Sequence, residues 1–328
     1  MNKLLKNVKI IGTGSYVPEK VITNEYLENK IDTNSKWIYE NLGIEERRIC
    51  DKNQTTSDIA YIAAKNALDN AQIKSSEIDL IILATATPDR KAPSTAAIVQ
   101  NKLNAFNAAA FDVAAVCSGF LYAISIANQY IATGTYKNVL IIGVDTFSKI
   151  TDWTKRDAVF FGDGAGAAIL SNSISDGFLS TRIYTDTSNN MFGFTIPGGG
   201  SEIPLNENNL QQQYFQMNGR SVYDTAIVAL PKAINQVLQD ANLSIEDIDY
   251  MIPHQPSIRI LQKTAELVGL PWEKVMTNMN KYANTSGGTV PILLDEINRS
   301  GILKPGKNIL FAAVGSGWTY GASILKWQ

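Results

Sequence analysis

Lys137-Asn138-Val139-Leu140-Ile141-Ile142 returns 170 residues later as Lys307-Asn308-Ile309-Leu310-Phe311-Ala312. A second pair of stretches obeys the same offset. Leu68-Asp69-Asn70-Ala71-Gln72-Ile73 leads into Ile78-Asp79-Leu80-Ile81-Ile82, and Leu238-Gln239-Asp240-Ala241-Asn242-Leu243 leads into Ile248-Asp249-Tyr250-Met251-Ile252. Two independent matches at one offset mark a duplication rather than chance similarity of short apolar strings. A third pair, Gly166–Leu170 and Gly321–Leu325, sits 155 residues apart, so one loop differs in length between the copies. The chain then divides into an N-terminal half, 1–172, and a C-terminal half, 173–328.

Working outward, Ser57–Asn70 carries apolar residues at helical spacing after a Thr-Thr-Ser start. Ile78–Ala84, Val139–Val144 and Ile309–Val314 are short continuous apolar runs, the pattern of strands buried on both faces. Helix and strand alternate in each half, which predicts parallel-rich sheets covered by helices. Two such halves sharing a central helical layer give an α/β/α/β/α arrangement. No Pro- or Gly-rich linker separates them, so one packed body is expected.

Composition narrows the function. The chain has 328 residues, 45% hydrophobic and 18% charged, enough to bury a sizeable core. The net charge of −2 offers no basic excess for nucleic acid or an anionic membrane. Two cysteines, Cys50 and Cys117, fit a reducing compartment, and one histidine, His254, excludes a poly-His metal site. The basic N-terminal stretch lacks a long apolar region and a cleavage site, and the apolar stretch Ala105–Ala127 reads as a buried strand followed by a buried helix. A soluble, cytoplasmic protein without a metal is expected.

Three residues suggest one site. Cys117 follows a predicted strand in Phe111-Asp112-Val113-Ala114-Ala115-Val116-Cys117-Ser118-Gly119-Phe120, at the start of a predicted helix. The positive end of a helix lowers a thiol pKa, which would make Cys117 a nucleophile; a buried structural thiol is the alternative. Cys50 has no such setting and reads as structural. His254 lies in Pro253-His254-Gln255-Pro256-Ser257, between a strand end and a helix start, where sites form in open α/β sheets. A satisfied polar residue is the competing reading. Asn284 lies in Tyr282-Ala283-Asn284-Thr285-Ser286-Gly287-Gly288, and Gly287 is the residue 170 positions beyond Cys117. The duplication therefore brings the two loops to equivalent helix starts, although Asn284 also suits an ordinary helix cap. The glycine run Phe161-Gly162-Asp163-Gly164-Ala165-Gly166 lacks the spacing of a dinucleotide or P-loop motif and reads as tight packing. Gly315-Ser316-Gly317 is either a plain turn or a set of amides facing an oxyanion.

Together these motifs resemble the thiolase superfamily and, within it, ketoacyl-acyl carrier protein synthase III, over nearly the whole chain. The resemblance implies the thiolase-like five-layered fold, a homodimer and a Cys117, His254, Asn284 triad. It implies no permanently bound cofactor. Acyl-CoA would acylate Cys117, and malonyl-ACP or malonyl-CoA would then lose CO2 and condense with the acyl group. The amides of Cys117 and Ser316 would form the oxyanion hole. Thr33 and Trp37 resemble contacts to the coenzyme A adenine, with Arg156 on its other face, and Gly219 resembles a glycine beside the pantetheine. Ser257 stands where an asparagine of that region is usual, and Asn41 where an arginine is usual. Arg259 keeps a basic position used to dock the acyl carrier protein, whereas Asp224 and Glu266 replace lysines. The bulky gate residue is Ala92 here, which implies a longer or bulkier starter in a specialised pathway. The alternatives are an acyltransferase making an ester or amide without decarboxylation, and a non-catalytic partner of a synthase. An HMG-CoA synthase is disfavoured because no matching glutamate base is evident.

Overall fold

Local side-chain caps set where the helices begin. Thr55 accepts from the Asp58 amide while the Asp58 carboxylate accepts from the Thr55 amide, so a capping box opens the helix at Thr56. The helix ends in a left-handed residue, Gln72, and its counterpart ends in left-handed Asn242. The computed structural model describes residues 5–188 and 190–328; Met1–Leu4, the start of the basic N-terminal stretch, and Asn189 lie outside the described residues.

In chain order the strands are β1 (Asn7–Tyr16), β2 (Lys20–Thr23), β3 (Glu46–Ile49), β4 (Leu80–Ala84), β5 (Ala109–Val113), β6 (Asn138–Thr146), β7 (Asp163–Ser173), β8 (Phe178–Thr185), β9 (Phe194–Thr195), β10 (Gln216–Met217), β11 (Tyr250–Pro253), β12 (Asn308–Gly315) and β13 (Thr319–Lys326). The helices are α1 (Asn24–Glu28), α2 (Ser35–Leu42), α3 (Thr56–Ala71), α4 (Thr95–Leu103), α5 (Gly119–Ala132), α6 (Gly219–Ala241), α7 (Ile258–Val268), α8 (Met279–Tyr282) and α9 (Thr289–Arg299).

One sheet has the order β1-β7-β6-β4-β5 and the other β11-β12-β13-β8. Helices α3 and α4 cover the outer face of the first, α5 and α9 lie between the two, and α6 packs on the second with α7 beside it. This is the expected five-layered α/β fold. The sheets are less parallel than expected. Only β4 with β5, β4 with β6, and β11 with β12 run parallel. The pairs β6–β7 and β12–β13 are antiparallel, because their connections return the chain directly alongside rather than through a crossover helix. The third sequence repeat falls in β7 and β13, and the connection before β7 is the longer one.

Strands β4 and β6 are buried along their whole length. Strand β5 corrects the expectation for Ala105–Ala127: it is only partly buried, because it pairs with β4 alone and leaves its other edge open. Helix α5 buries Phe120, Leu121, Ala123, Ile124, Ala127 and Ile131, as expected. The glycine run is a packing seam. A β-carbon at Gly162 would lie 2.6 Å from Tyr282 O, and one at Gly166 would lie 2.5 Å from Ile292 N on α9.

The hairpin β2–β3 with α1 and α2 forms a cap around Ile22, Leu27, Ile38, Leu42 and Ile44, closed by Val159 of the body. Arg47 ties the two together. It is fully buried, and its guanidinium donates to Ile22 O, Asn24 Oδ1 and Val159 O. Burial pushes its pKa down to about 10, which leaves it charged at neutral pH.

Candidate active site

Cys117 sits in the short 3-10 turn Val116–Ser118 that opens α5. Val116 holds φ +46, which turns the chain sharply and presents the thiol to a cavity between the sheets. The Sγ is buried and donates to Ser286 Oγ at 3.4 Å. Burial pushes the thiol up to about 12, against a smaller lowering by the Ser286 hydrogen bond. This reverses the sequence expectation of a lowered pKa, because desolvation of a thiolate outweighs the helix dipole here. Cys50 is buried as well. Its amide donates to Asp163 at 2.7 Å, and burial pushes its thiol up, which fits a structural role.

His254 directly follows β11, anchored by its amide donating to Ala312 O at 2.8 Å. Its Nε2 lies 3.1 Å from Asn284 Oδ1. The Ser286 amide also donates to that Oδ1, at 2.8 Å, which fixes the amide orientation. Nε2 therefore carries the hydrogen, and Nδ1 has no partner among the described residues. Burial pushes the imidazole down to about 4, so it is neutral. Asn284 does not cap α9. Its backbone is clamped to Phe160 and Gly162, and its side chain faces His254.

One cavity of about 300 Å³ is lined by Cys117, His254, Asn284, Gly315 and Ser316. The backbone of Gly315 crosses beside Cys117: a β-carbon there would lie 3.0 Å from Cys117 N. Toward the mouth the lining includes Trp37, Asn41, Gly219, Ser257 and Arg259. Ser257 also caps α7, and Gly219 begins α6. Phe161 and Phe194 form an apolar wall, with Phe147 and Phe215 stacked behind them at centroid distances of 4.4 to 6.1 Å.

Three predicted residues behave differently. Arg156 stacks directly on Trp37, with 4.2 Å from guanidinium carbon to ring centroid, so a purine between them requires the planes to part. Thr33 lies off the cavity wall, with its buried Oγ1 unpartnered among the described residues. Ala92 is exposed and outside the cavity, because the connection from β4 to α4 carries it to the surface. No group of ligands that could hold a metal occurs among the described residues, and no described helix is long and apolar enough to cross a membrane.

Sequence reasoning passed over two residues. Ser286 contacts Cys117 directly. Asp145 is fully buried near the end of β6, and its Oδ2 accepts from the Gly287 amide at 2.9 Å. A carboxylate ending an otherwise apolar buried strand was the available signal for the second.

Comparison with known proteins agrees with this geometry. Residues 111–187 match the family 3-Oxoacyl-[acyl-carrier-protein (ACP)] synthase III, and residues 238–327 match its C-terminal part. The beta-ketoacyl-[acyl-carrier-protein] synthase III of Clostridium acetobutylicum is 43% identical over 98% of this chain and 99% of that protein. The synthase III of Caldanaerobacter subterraneus is 44% identical over 97% of each chain. The crystal structure of the Aquifex aeolicus 3-oxoacyl-[acyl-carrier-protein] synthase III superposes with TM-score 0.89 at 41% identity, covering 98% of this chain and all of that one. The priming beta-ketosynthase of the R1128 polyketide pathway superposes with TM-score 0.94 at 27% identity, covering 100% of this chain and 98% of that one. At 41% to 44% identity over 97% to 98% of its length, the chain belongs to the beta-ketoacyl-[acyl-carrier-protein] synthase III family, acyltransferases of the thiolase fold.

Proposed function

We propose that the protein catalyses a decarboxylative Claisen condensation through an acyl-Cys117 intermediate. The observation that carries this is the convergence of Cys117, His254 and Asn284 on one cavity, with His254 Nε2 3.1 Å from Asn284 Oδ1. An acyl group moves from coenzyme A to the Cys117 sulfur, and coenzyme A leaves as the thiol. A malonyl thioester, carried by acyl carrier protein or coenzyme A, then loses CO2. The His254 Nε2 hydrogen and the Asn284 amide donate to its thioester carbonyl and stabilise the enolate. A neutral imidazole suffices, consistent with its depressed pKa. The enolate carbon attacks the acyl-cysteine carbonyl, whose oxyanion the amides of Cys117 and Ser316 hold, and collapse of this adduct breaks the acyl carbon–sulfur bond, freeing the β-ketoacyl thioester and the Cys117 sulfur. Covalent capture splits one hard step into two easier ones.

The mouth supports a coenzyme A thioester as substrate. Trp37 supplies a stacking face and Arg156 a planar cation, while Thr33, off the cavity wall, has a buried hydroxyl without a partner among the described residues. Gly219 and Ser257 line the way in for the pantetheine arm, and Arg259 supplies a cation for an acidic carrier. A starter longer or bulkier than acetyl is supported by the apolar cavity, with the phenylalanine cluster as its wall. The open edge of β5 supports a homodimer. The matching repeats support halves at 1–172 and 173–328.

Intact-protein mass spectrometry with a panel of acyl-CoA thioesters tests the reading. A mass gain that disappears in Cys117→Ala supports it and names the starter. If acetyl-CoA acylates fastest of all, the larger-starter reading fails. Acylation without CO2 release from malonyl thioester would favour the ester- or amide-forming acyltransferase.

A further inference from the structure

The 3.1 Å approach of His254 Nε2 to Asn284 Oδ1 joins two loops that leave different elements, β11 and α8. Helix α8 is only four residues long, and a single turn does not hold its own shape. Glu296 on α9 holds it from outside. Its Oε2 accepts from Asn278 Nδ2 at 2.7 Å, just before the first residue of α8, and its Oε1 accepts from Tyr282 Oη at 2.7 Å, the last residue. One carboxylate therefore spans the whole turn. At the near end, the Asn278 amide donates to Gln255 Oε1 at 3.3 Å. Gln255 is fully buried beside His254, and its Nε2 donates to Pro253 O and Met276 O. A closed circuit thus runs from His254 through Gln255, Asn278, Glu296 and Tyr282 to Asn284 and back.

The step between Tyr282 and Asn284 is strained. Ala283 holds φ +56 and ψ −151, a conformation that only glycine adopts freely. Such a step persists only where the structure on both sides fixes it. On the far side, the Asn284 amide donates to Phe160 O and Asn284 O accepts from the Gly162 amide, both at 3.1 Å. On the near side, the hydroxyl of Tyr282 is held by Glu296.

We propose that Glu296 is a positioning residue for Asn284: by holding both ends of α8 it keeps the strained step at Ala283 from relaxing and the Asn284 amide within reach of His254. Its consequence for the reaction rests on Asn284 acting in the condensation. Glu296 lies off the cavity wall, so its effect passes through Asn284. Without the carboxylate, Tyr282 and Asn278 lose their common partner, Ala283 relaxes, and the Asn284 side chain withdraws from the imidazole.

The chain has one histidine, so isotope-labelled histidine gives a single imidazole whose Nε2 hydrogen reports the Asn284 contact by NMR. Glu296→Ala should shift that resonance and speed its exchange with water roughly 10-fold. Glu296→Gln should recover most of the wild-type signal, because the amide oxygen still accepts from Tyr282 and the Asn278 amide can turn to accept from the new nitrogen. Tyr282→Phe, which removes one of the two bonds, should fall between. Glu296→Ala should also lower kcat for condensation roughly 10-fold, with KM for the malonyl thioester within about 2-fold and acyl-CoA labelling of Cys117 unchanged. An unmoved imidazole signal in Glu296→Ala overturns the proposal. So does Glu296→Gln as perturbed as Glu296→Ala, which would make charge rather than geometry the active property. An equal loss of labelling and condensation overturns it too, as a general loosening of the site. If Glu296→Ala fails to fold, Tyr282→Phe decides alone, and an unmoved signal there overturns the proposal. The NMR signal needs no turnover: a wild type that neither labels nor condenses, with the imidazole responding as expected, breaks the proposed function and leaves the positioning of Asn284 standing.

Discussion

The loop at Cys117 and the loop at Ser286 have nearly the same backbone and opposite chemistry. Val116 and Ser286, 170 positions apart, both hold a positive φ, +46 and +51. Each opens a three-residue 3-10 turn, Val116–Ser118 or Ser286–Gly288, that feeds a central helix. Each loop also seats against a strand of the other sheet. A β-carbon at Gly143 of β6 would lie 2.1 Å from Gly287 O, and one at Gly315 of β12 would lie 2.8 Å from Ala115 O. The side chains do not repeat. At the matched positions Ala84 and His254, Ala114 and Asn284, Cys117 and Gly287, and Asp145 and Gly315, one member carries a polar or thiol side chain and the other is small. A duplicated frame thus makes one site rather than two: where one copy keeps a functional group, the other gives up volume.

The largest effect on this comparison comes from removing the second loop's polar arm. Asn284→Ala should lower condensation about 10²–10³-fold while acyl-CoA still labels Cys117, measured by product formation and intact mass. Equal loss of both steps would mean that the loops do not divide the chemistry.

The seats come next. Gly143→Ala should destabilise by roughly 2–3 kcal/mol and Gly315→Ala by about 1 kcal/mol, read from denaturant midpoints, because the first collides with backbone more severely. The reverse order would show that the two seats are not equivalent in the way their spacing implies.

His254 should give the second copy a pH signature. Its folded pKa of about 4 lies below its unfolded value near 6.5, so the unfolded chain binds the extra proton between them. Stability should fall by about 3 kcal/mol as pH drops from 6.5 to 4, and His254→Gln should flatten that slope. An unchanged slope would mean that the imidazole is not buried as neutral.

The smallest effect belongs to the segment the second copy lacks, the connection between β6 and β7. Arg156→Ala should weaken coenzyme A binding about 3-fold by calorimetry. The loss is small because the variant also frees the Trp37 face that Arg156 covers.

Much of this frame was legible in the sequence because strand burial and spacing are local properties. Val139–Val144 announced a buried strand, and the 170-residue offset located both loops. Cys117, His254 and Asn284 stood out as chemically distinctive residues at strand ends. The sign of the Cys117 pKa shift was not legible, since helix position is local but desolvation depends on the opposite sheet. Ser286 and Asp145 were missed for the same reason: one is 169 positions from Cys117, and only packing brings them together. Ala92 shows the limit of matching by position, because nothing around it records which way its connection turns.

Arg47 carries a consequence for how the mouth behaves in different solutions. Surface pairs such as Lys36–Glu40 weaken as electrolyte rises, since mobile ions screen them. The buried guanidinium of Arg47 instead grips two carbonyls and an amide oxygen, none of which carries a titratable charge. Neither brine nor mild acid has a partner there to neutralise. The cap that bears Trp37 is therefore fastened to the body by a tie indifferent to both, and the entrance keeps its shape where ordinary salt bridges would let it drift.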